Sequence, residues 1–296
     1  MKKYLLNLHV ALSSGVLALG VTVNAAPPGS SPPPQGTNAV IGRSPAGQRI
    51  GPLEEARKVI GSDLKDTHSQ SIGRIEDMVV DLESGRVLYS IATLKGQNEH
   101  IALPATILKE HHTGKGHVLN ADINKLSSAP KFGPDRTNDP GNLAFVGEVY
   151  QFFGVPTWWE GSSGSFNNTH RLTTLLGKPV KDVSNADFGK VDDAILDVNA
   201  GRVPFLVLNR QNAYYAIPPN AFTLAPDKTT LVTGLDQNTL TSAPRYTKGN
   251  VQMLANVATA TAIYSHYGKE PYFASGQALS PTSNTNASRL YPVPAK

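Results

Sequence analysis

The stretch Gly73-Arg74-Ile75-Glu76-Asp77-Met78-Val79-Val80-Asp81-Leu82-Glu83-Ser84-Gly85-Arg86-Val87 returns as Gly189-Lys190-Val191-Asp192-Asp193-Ala194-Ile195-Leu196-Asp197-Val198-Asn199-Ala200-Gly201-Arg202-Val203. The offset is the same at both ends, 189 − 73 = 203 − 87 = 116. In each copy an apolar, β-branched run meets a second such run across a short turn containing Gly and Arg, which is a hairpin signal. Apolar residues do not alternate through Glu76-Asp77-Met78-Val79, and one extra residue near Glu76 restores the inward face, so a β-bulge is expected there.

The register extends outward from the hairpins. Val59-Ile60-Gly61 is answered by Leu175-Leu176-Gly177 at the same offset, and after a two-residue deletion Ile101-Ala102-Leu103-Pro104 is answered by Tyr215-Ala216-Ile217-Pro218 at 218 − 104 = 114. The second offset still holds where Leu126-Ser127-Ser128-Ala129-Pro130 meets Leu240-Thr241-Ser242-Ala243-Pro244, and where Tyr150, Phe153 and Gly154 meet Tyr264, Tyr267 and Gly268. A constant register of that length is the mark of an internal duplication. Shorter strands are expected over residues 59–66, 100–103 and 116–120, with a helical turn after Pro104. Short strands with regular turn signals favour small barrels over parallel βαβ units. Each unit should close with an amphipathic helix. The first is announced by Asp139-Pro140 and carries Leu143, Val146, Tyr150 and Phe153 at helical spacing; the second, over residues 250–267, carries Val257, Ala260, Tyr264 and Tyr267.

The strand and turn from Gly73 to Val87, the Ile101-Ala102-Leu103-Pro104 step and the closing Leu126-Ser127-Ser128-Ala129-Pro130 together resemble the PRC-barrel family, and the second copy repeats the pattern. The resemblance implies a mainly β fold of two tandem small PRC-type β-barrels, each followed by an amphipathic α-helix. The family is similar in fold to the cytoplasmic part of the photosynthetic reaction-centre H subunit and to a domain of a ribosome-maturation factor. That implies a docking or assembly role and brings no common enzymatic activity. One departure is Pro204, which stands where the first copy has Leu88 and removes a backbone donor, so an edge or bulged strand is expected there.

At the N-terminus Lys2 and Lys3 precede an apolar run over residues 5–23 that ends in Val23-Asn24-Ala25, the layout of a secretory signal peptide over residues 1–25. Residues 26–52 form a Pro/Gly/Ser-rich flexible leader, residues 53–160 the first unit, residues 161–170 a linker around Gly161-Ser162-Ser163-Gly164-Ser165, residues 171–273 the second unit and residues 274–296 a flexible tail. The two units are expected to fold as separate barrels. The chain has no cysteine, which excludes disulfides, thiolate metal sites, Cys nucleophiles and lipidation at a lipobox cysteine. Its formal charge of +4 includes Lys2 and Lys3, so cleavage after Ala25 leaves 27 − 2 = 25 basic residues against 23 acidic ones, no nucleic-acid footprint. These features give a periplasmic protein, with full secretion as the alternative, and no stable membrane insertion after cleavage.

Three groups of residues carry candidate chemistry. Asp77 and Asp81, with Gly85 and Arg86, recur as Asp193 and Asp197, with Gly201 and Arg202. Paired carboxylates can hold a cation or move a proton. The preferred reading is structural: exposed strand carboxylates, with Asp81 and Asp197 paired to the turn arginines or turn amides. His68, His100, His111, His112 and His117 gather in the first unit, the last three in one loop of a kind that can hold Zn or Cu. Their second-copy counterparts, Ala225, Pro226 and Leu231, favour a solvated loop instead. Trp158-Trp159 and Tyr272-Phe273 each follow a helix-stopping Gly and a Pro. They either seal the barrels or the seam between them, or present an interaction surface. No nucleophile elbow, P-loop, dinucleotide fingerprint or zinc-protease motif is found, and no cofactor is implied. The expected function is a non-enzymatic periplasmic protein-interaction or assembly module whose partner is an envelope protein or a second copy. The alternative is a small-ligand or metal-binding protein using the acidic or His-rich surface.

Overall fold

The computed structural model describes residues 50–159 and 164–273, so the signal peptide, all but the end of the leader, the start of the linker and the tail lie outside the described residues. The described residues belong to one compact unit. The order begins with β1 (Glu54–Glu55), α1 (Ala56–Val59), β2 (Asp63–Lys65), β3 (Ser71–Asp81) and β4 (Arg86–Leu94). It continues through β5 (His100–Leu103), β6 (Leu108–Glu110), β7 (His117–Leu119), α2 (Pro134–Thr137) and α3 (Leu143–Phe152). The second half runs β8 (Thr169–Arg171), α4 (Leu172–Leu175), β9 (Pro179–Asp182), β10 (Asp187–Asp197), β11 (Arg202–Arg210) and β12 (Ala213–Ile217). Then follow β13 (Phe222–Leu224), β14 (Leu231–Thr233), α5 (Gln237–Ser242), β15 (Arg245–Tyr246), α6 (Gln252–Ala255) and α7 (Val257–His266). The protein is mainly β. β10 and β11 begin 116 residues after β3 and β4, and β13 and α7 begin 114 residues after β6 and α3.

The hairpins form the spine. Met78, Val79 and Val80 are all buried, and so are Leu88, Tyr89 and Ile91, which is how strands covered on both faces read. Pairing passes from Ile75↔Ala92 to Asp77↔Ile91, leaving Glu76 as the extra residue, and from Val191↔Leu208 to Asp193↔Val207, leaving Asp192. Pro204 lies in a second irregularity, between Ile195↔Phe205 and Asp197↔Arg202, where its missing donor interrupts no regular ladder.

The two halves are interlocked. The strand path β13-β14-β9-β10-β11-β4-β3-β2-β7-β6 is open and crosses from one half to the other at Arg202↔Arg86. β1 pairs with β10 through Glu54↔Leu196 and Glu55↔Ile195, whereas β8 pairs with β3 through His170↔Val80 and Arg171↔Val79. Since 170 − 54 = 196 − 80 = 116, the two crossings are equivalent, and each half lends its first strand to the other. In place of two separate closed barrels there is one shared, open strand network. The larger core cluster spans both halves, joining Val80 and Leu82 to Leu172, Ile195 and Phe205, and a smaller one gathers Tyr89, Phe145, Tyr150 and Trp159 under α3.

Several local expectations change. Val59 closes the helical turn α1 and lies outside β2; four residues are too few for periodicity to reveal. The first closing helix starts later than Asp139-Pro140, because Asn142 is its cap and accepts the Phe145 N–H at 3.1 Å. Its counterpart Asn256 accepts the Thr259 N–H at 3.1 Å and splits the expected 250–267 helix into α6 and α7, which leaves Val257 46% exposed. At the end of the leader Ile50 is buried and the Gly51 N–H donates to Asp197. Nor is the described part of the linker free: Ser165 Oγ donates to Asp139, the Phe166 N–H donates to the Gly141 carbonyl, and Phe166 is buried.

Candidate functional site

The sequence-selected residues converge on the seam between the halves. The hairpin turns meet there reciprocally: the Val203 N–H donates to the Gly85 carbonyl at 2.9 Å and the Val87 N–H to the Gly201 carbonyl at 3.0 Å. Arg86 and Arg202 face each other in that pairing. Each carries an aromatic ring from the end of its own half, with the Arg86 guanidinium 4.0 Å from the Trp158 ring centre and that of Arg202 4.7 Å from Tyr272. Arg202 is only 3% exposed and donates from Nη1 to the Ser84 carbonyl of the opposite turn. Burial, with the neighbouring Arg202 charge, pushes the Arg86 guanidinium down to about 9.

Trp159 and Phe273 fold back onto the closing helices, each edge-on to a buried tyrosine: Trp159 to Tyr150 at 5.0 Å and Phe273 to Tyr264 at 5.5 Å. Both are buried, and Trp158 and Tyr272 are half-buried against the arginines. The four aromatics thus line the seam and the adjoining helices.

The carboxylates are buried, in contrast to the exposed positions expected for them. Asp81 accepts the Ser84 N–H at 2.9 Å and the Ser84 hydroxyl, and Asp197 accepts the Ala200 N–H at 3.0 Å and the Gly51 N–H at 2.8 Å. Burial pushes both carboxyl groups up. Asp77 receives the other crossing: it accepts the Arg171 Nε–H at 2.8 Å, the Thr173 N–H at 3.0 Å and the Thr173 hydroxyl, besides its own neighbour Met78 N–H at 2.8 Å. It therefore caps α4 from the opposite half, since the helix's own N-cap residue, Arg171, makes no side-chain capping bond. Asp193 does the same for α1 more loosely, accepting the Arg57 N–H at 3.3 Å, with the Arg57 Nε 4.0 Å away.

The histidines are not gathered into a site. His117 is 2% exposed and bonds Glu54 at 3.1 Å and Ser62 at 2.9 Å, while His111 is buried between Ser69 and Thr113, so two of the three loop histidines are inside where a solvated loop was expected. Among the described residues no group of three His, Asp or Glu side chains is arranged to hold a metal ion. An open cavity of about 350 Å³ is lined by Arg57, Ile60, Thr173 and Leu176, two pairs at the 116-residue offset where α1 and α4 approach each other. Among the described residues no helix is long and apolar enough to cross a membrane.

Sequence reasoning missed Arg57, Arg171 and Thr173, the partners of Asp77 and Asp193. The pairs 55–57 and 171–173 do stand at the repeat offset, but nothing in their local pattern names a partner more than 90 residues away. A comparison with family models matches residues 52–124 to the PRC-barrel domain. No curated protein matches the chain.

Proposed function

We propose that the chain is a non-enzymatic protein-interaction or assembly module of the cell envelope, exported to the periplasm through its N-terminal signal peptide and built from two PRC-barrel-like units, of which the matched residues 52–124 are the body of the first. The observation that carries this reading is the reciprocal exchange of β1–α1 and β8–α4. Here a PRC-like unit already serves as a docking partner for another unit, through strand addition and buried hydrogen bonds. The candidate residues support it, since Asp77, Asp193 and Arg202 bond to the opposite half through their side chains and Arg86 pairs with Arg202 through the backbone.

The reading is tested by fractionation together with photo-crosslinking in living cells, placing the crosslinker in turn at the exposed Ile123, Val183 and Val257. The expected result is a periplasmic protein with a discrete adduct, to an envelope protein or to a second copy, from one of these faces. Retention in the cytoplasm, or no adduct from any position, would overturn it.

A further inference from the structure

The two crossings are equivalent in backbone and different in chemistry. Glu54 and His170 occupy corresponding positions on β1 and β8, paired to Leu196 and Val80. Glu54 meets His117 of β7 at 3.1 Å, and His117 is held from its other side by Ser62. At the position corresponding to His117 the second half has Leu231, which is fully buried. His170 has a neutral partner instead: its Nε2 lies 2.9 Å from Asn168 Oδ1. The Asn168 amide is oriented by its own donation to the Phe222 carbonyl at 2.9 Å, so Oδ1 is an acceptor and His170 must donate from Nε2. Among the described residues no hydrogen bond reaches Nδ1 of the neutral ring, and an acid proton arrives there.

The charges around the two rings then decide the outcome. His117 faces the Glu54 carboxylate, with Glu110 and Asp63 on the strands next to β7, all within the first half. Among the described residues His170 forms no ion pair. Its neighbour Arg171 is bonded to Asp77; Asp81 on β3 bonds Ser84 through Oδ2 and leaves Oδ1 without a hydrogen-bond partner, yet makes no ion pair with His170; and Lys178, ahead of β9, adds repulsion. Burial, reinforced by Lys178, already pushes the His170 imidazole down to about 4.

We propose that the crossings are an asymmetric acid-sensitive clasp: protonation of His170 loosens β8–α4 from the first half, while β1–α1, which carries Glu54 at the matching position and no histidine, keeps its hold on the second. The sign follows from linkage. The opened segment takes up a proton near pH 6.5 and the closed one only near pH 4, so opening becomes easier as pH falls through that window and levels off below it. From pH 7 to pH 5 the opening equilibrium of β8–α4 should rise about tenfold, after allowance for the ring's partial exposure.

Hydrogen exchange with mass spectrometric or NMR readout, converted to protection factors, tests this on the full chain. The reporting amides are Leu82, which donates to the Asn168 carbonyl, and Leu176, which donates to the Leu172 carbonyl; Ile60, which donates to the Ala56 carbonyl, is the control in the other crossing. Protection at Leu82 and Leu176 should fall about tenfold between pH 7 and pH 5, protection at Ile60 should not fall, and His170→Gln should remove the acid response. Equal loss at all three amides, or an acid response that survives in His170→Gln, overturns the proposal. Should that variant not fold, titration of the His170 ring by NMR in the unaltered protein decides, and a midpoint at or above pH 6.5 overturns it.

Discussion

Removing the Asp77 carboxylate should be the most damaging loss of a polar side chain at the crossings. Asp77 is fully buried, and in Asp77→Ala the Thr173 and Met78 N–H groups, the Thr173 hydroxyl and the Arg171 guanidinium lose their acceptor. Orphaned buried donors cost about 1 to 3 kcal/mol each, and a broken buried ion pair about 3 to 5 kcal/mol. Arg171 is about one-third exposed and can turn to water, so the lower part of that range applies, roughly 3 kcal/mol. For a domain of this size that lowers Tm by about 6 to 12 °C. Asp193→Ala is the internal control. Its carboxylate accepts the Ala194 N–H at 2.8 Å, as Asp77 does that of Met78, but reaches the Arg57 N–H only at 3.3 Å; its ion-pair partner is 53% exposed and also bonds the Asp192 carbonyl, and burial already penalises the charged form. Its loss should cost roughly 1 kcal/mol. The assay is urea unfolding followed by far-ultraviolet circular dichroism and by tryptophan fluorescence, since both tryptophans lie in the first half. An Asp193→Ala cost equal to or above that of Asp77→Ala would refute the claim that bond geometry across the crossing sets its strength.

Trp159→Ala should cost about 3 to 5 kcal/mol in the same assay, because the ring is buried against Tyr150 and Phe166, whereas Trp158→Ala, whose half-buried ring stacks on Arg86 and touches Trp159 and Phe166, should cost less, about 2 kcal/mol. Equal costs would mean that the two rings are not in these different environments. Dialysis against a chelator should leave Tm unchanged, since a tightly bound ion would add a concentration-dependent increment, and a clear drop would reopen the histidine and acidic groups as a metal site. Mass spectrometry of the exported protein should find Ala26 as its first residue, and retention of Met1 in that pool would contradict the signal-peptide reading.

The long hairpins, the bulge at Glu76 and the helical turn after Pro104 were legible because each rests on contacts between residues close in sequence, where alternation and turn chemistry leave a pattern. The aromatic pairs were legible as large apolar groups folding back past a Gly and a Pro. The crossings were not. β1 and β8 are two and three residues long, too short to show alternation, and their partners lie on the far half of the chain. The aspartates at Asp77 and Asp193 look like exposed strand positions because a bulge beside each turns them inward, toward a helical turn that nothing local announces. The candidate residues could thus be picked from the sequence, but their role as trans-caps needed the three-dimensional pairing.

The seam itself offers the sharpest test of whether the two halves act as one mechanical unit. Gly85 and Gly201 have φ of +62° and +61°, so an alanine at either carries the left-handed penalty of about 1 kcal/mol. A Cβ on Gly85 would also stand 3.3 Å from Pro219 Cγ and 3.4 Å from the Val203 carbonyl oxygen, a rigid ring and a backbone atom of the other half. On Gly201 it would meet Thr106 Cγ2 at 3.2 Å, and a threonine side chain can give way. Gly85→Ala should therefore cost roughly 2 kcal/mol and Gly201→Ala roughly 1 kcal/mol. Each glycine carbonyl accepts the amide that follows the other turn's arginine, so displacing either hairpin strains both hydrogen bonds at once. Once one has moved, the second substitution finds the contact already broken, and the double variant should cost less than the two singles together by at least about 0.5 kcal/mol. Strict additivity in that cycle would show that the hairpins do not depend on each other, and that the halves are joined by the crossings alone.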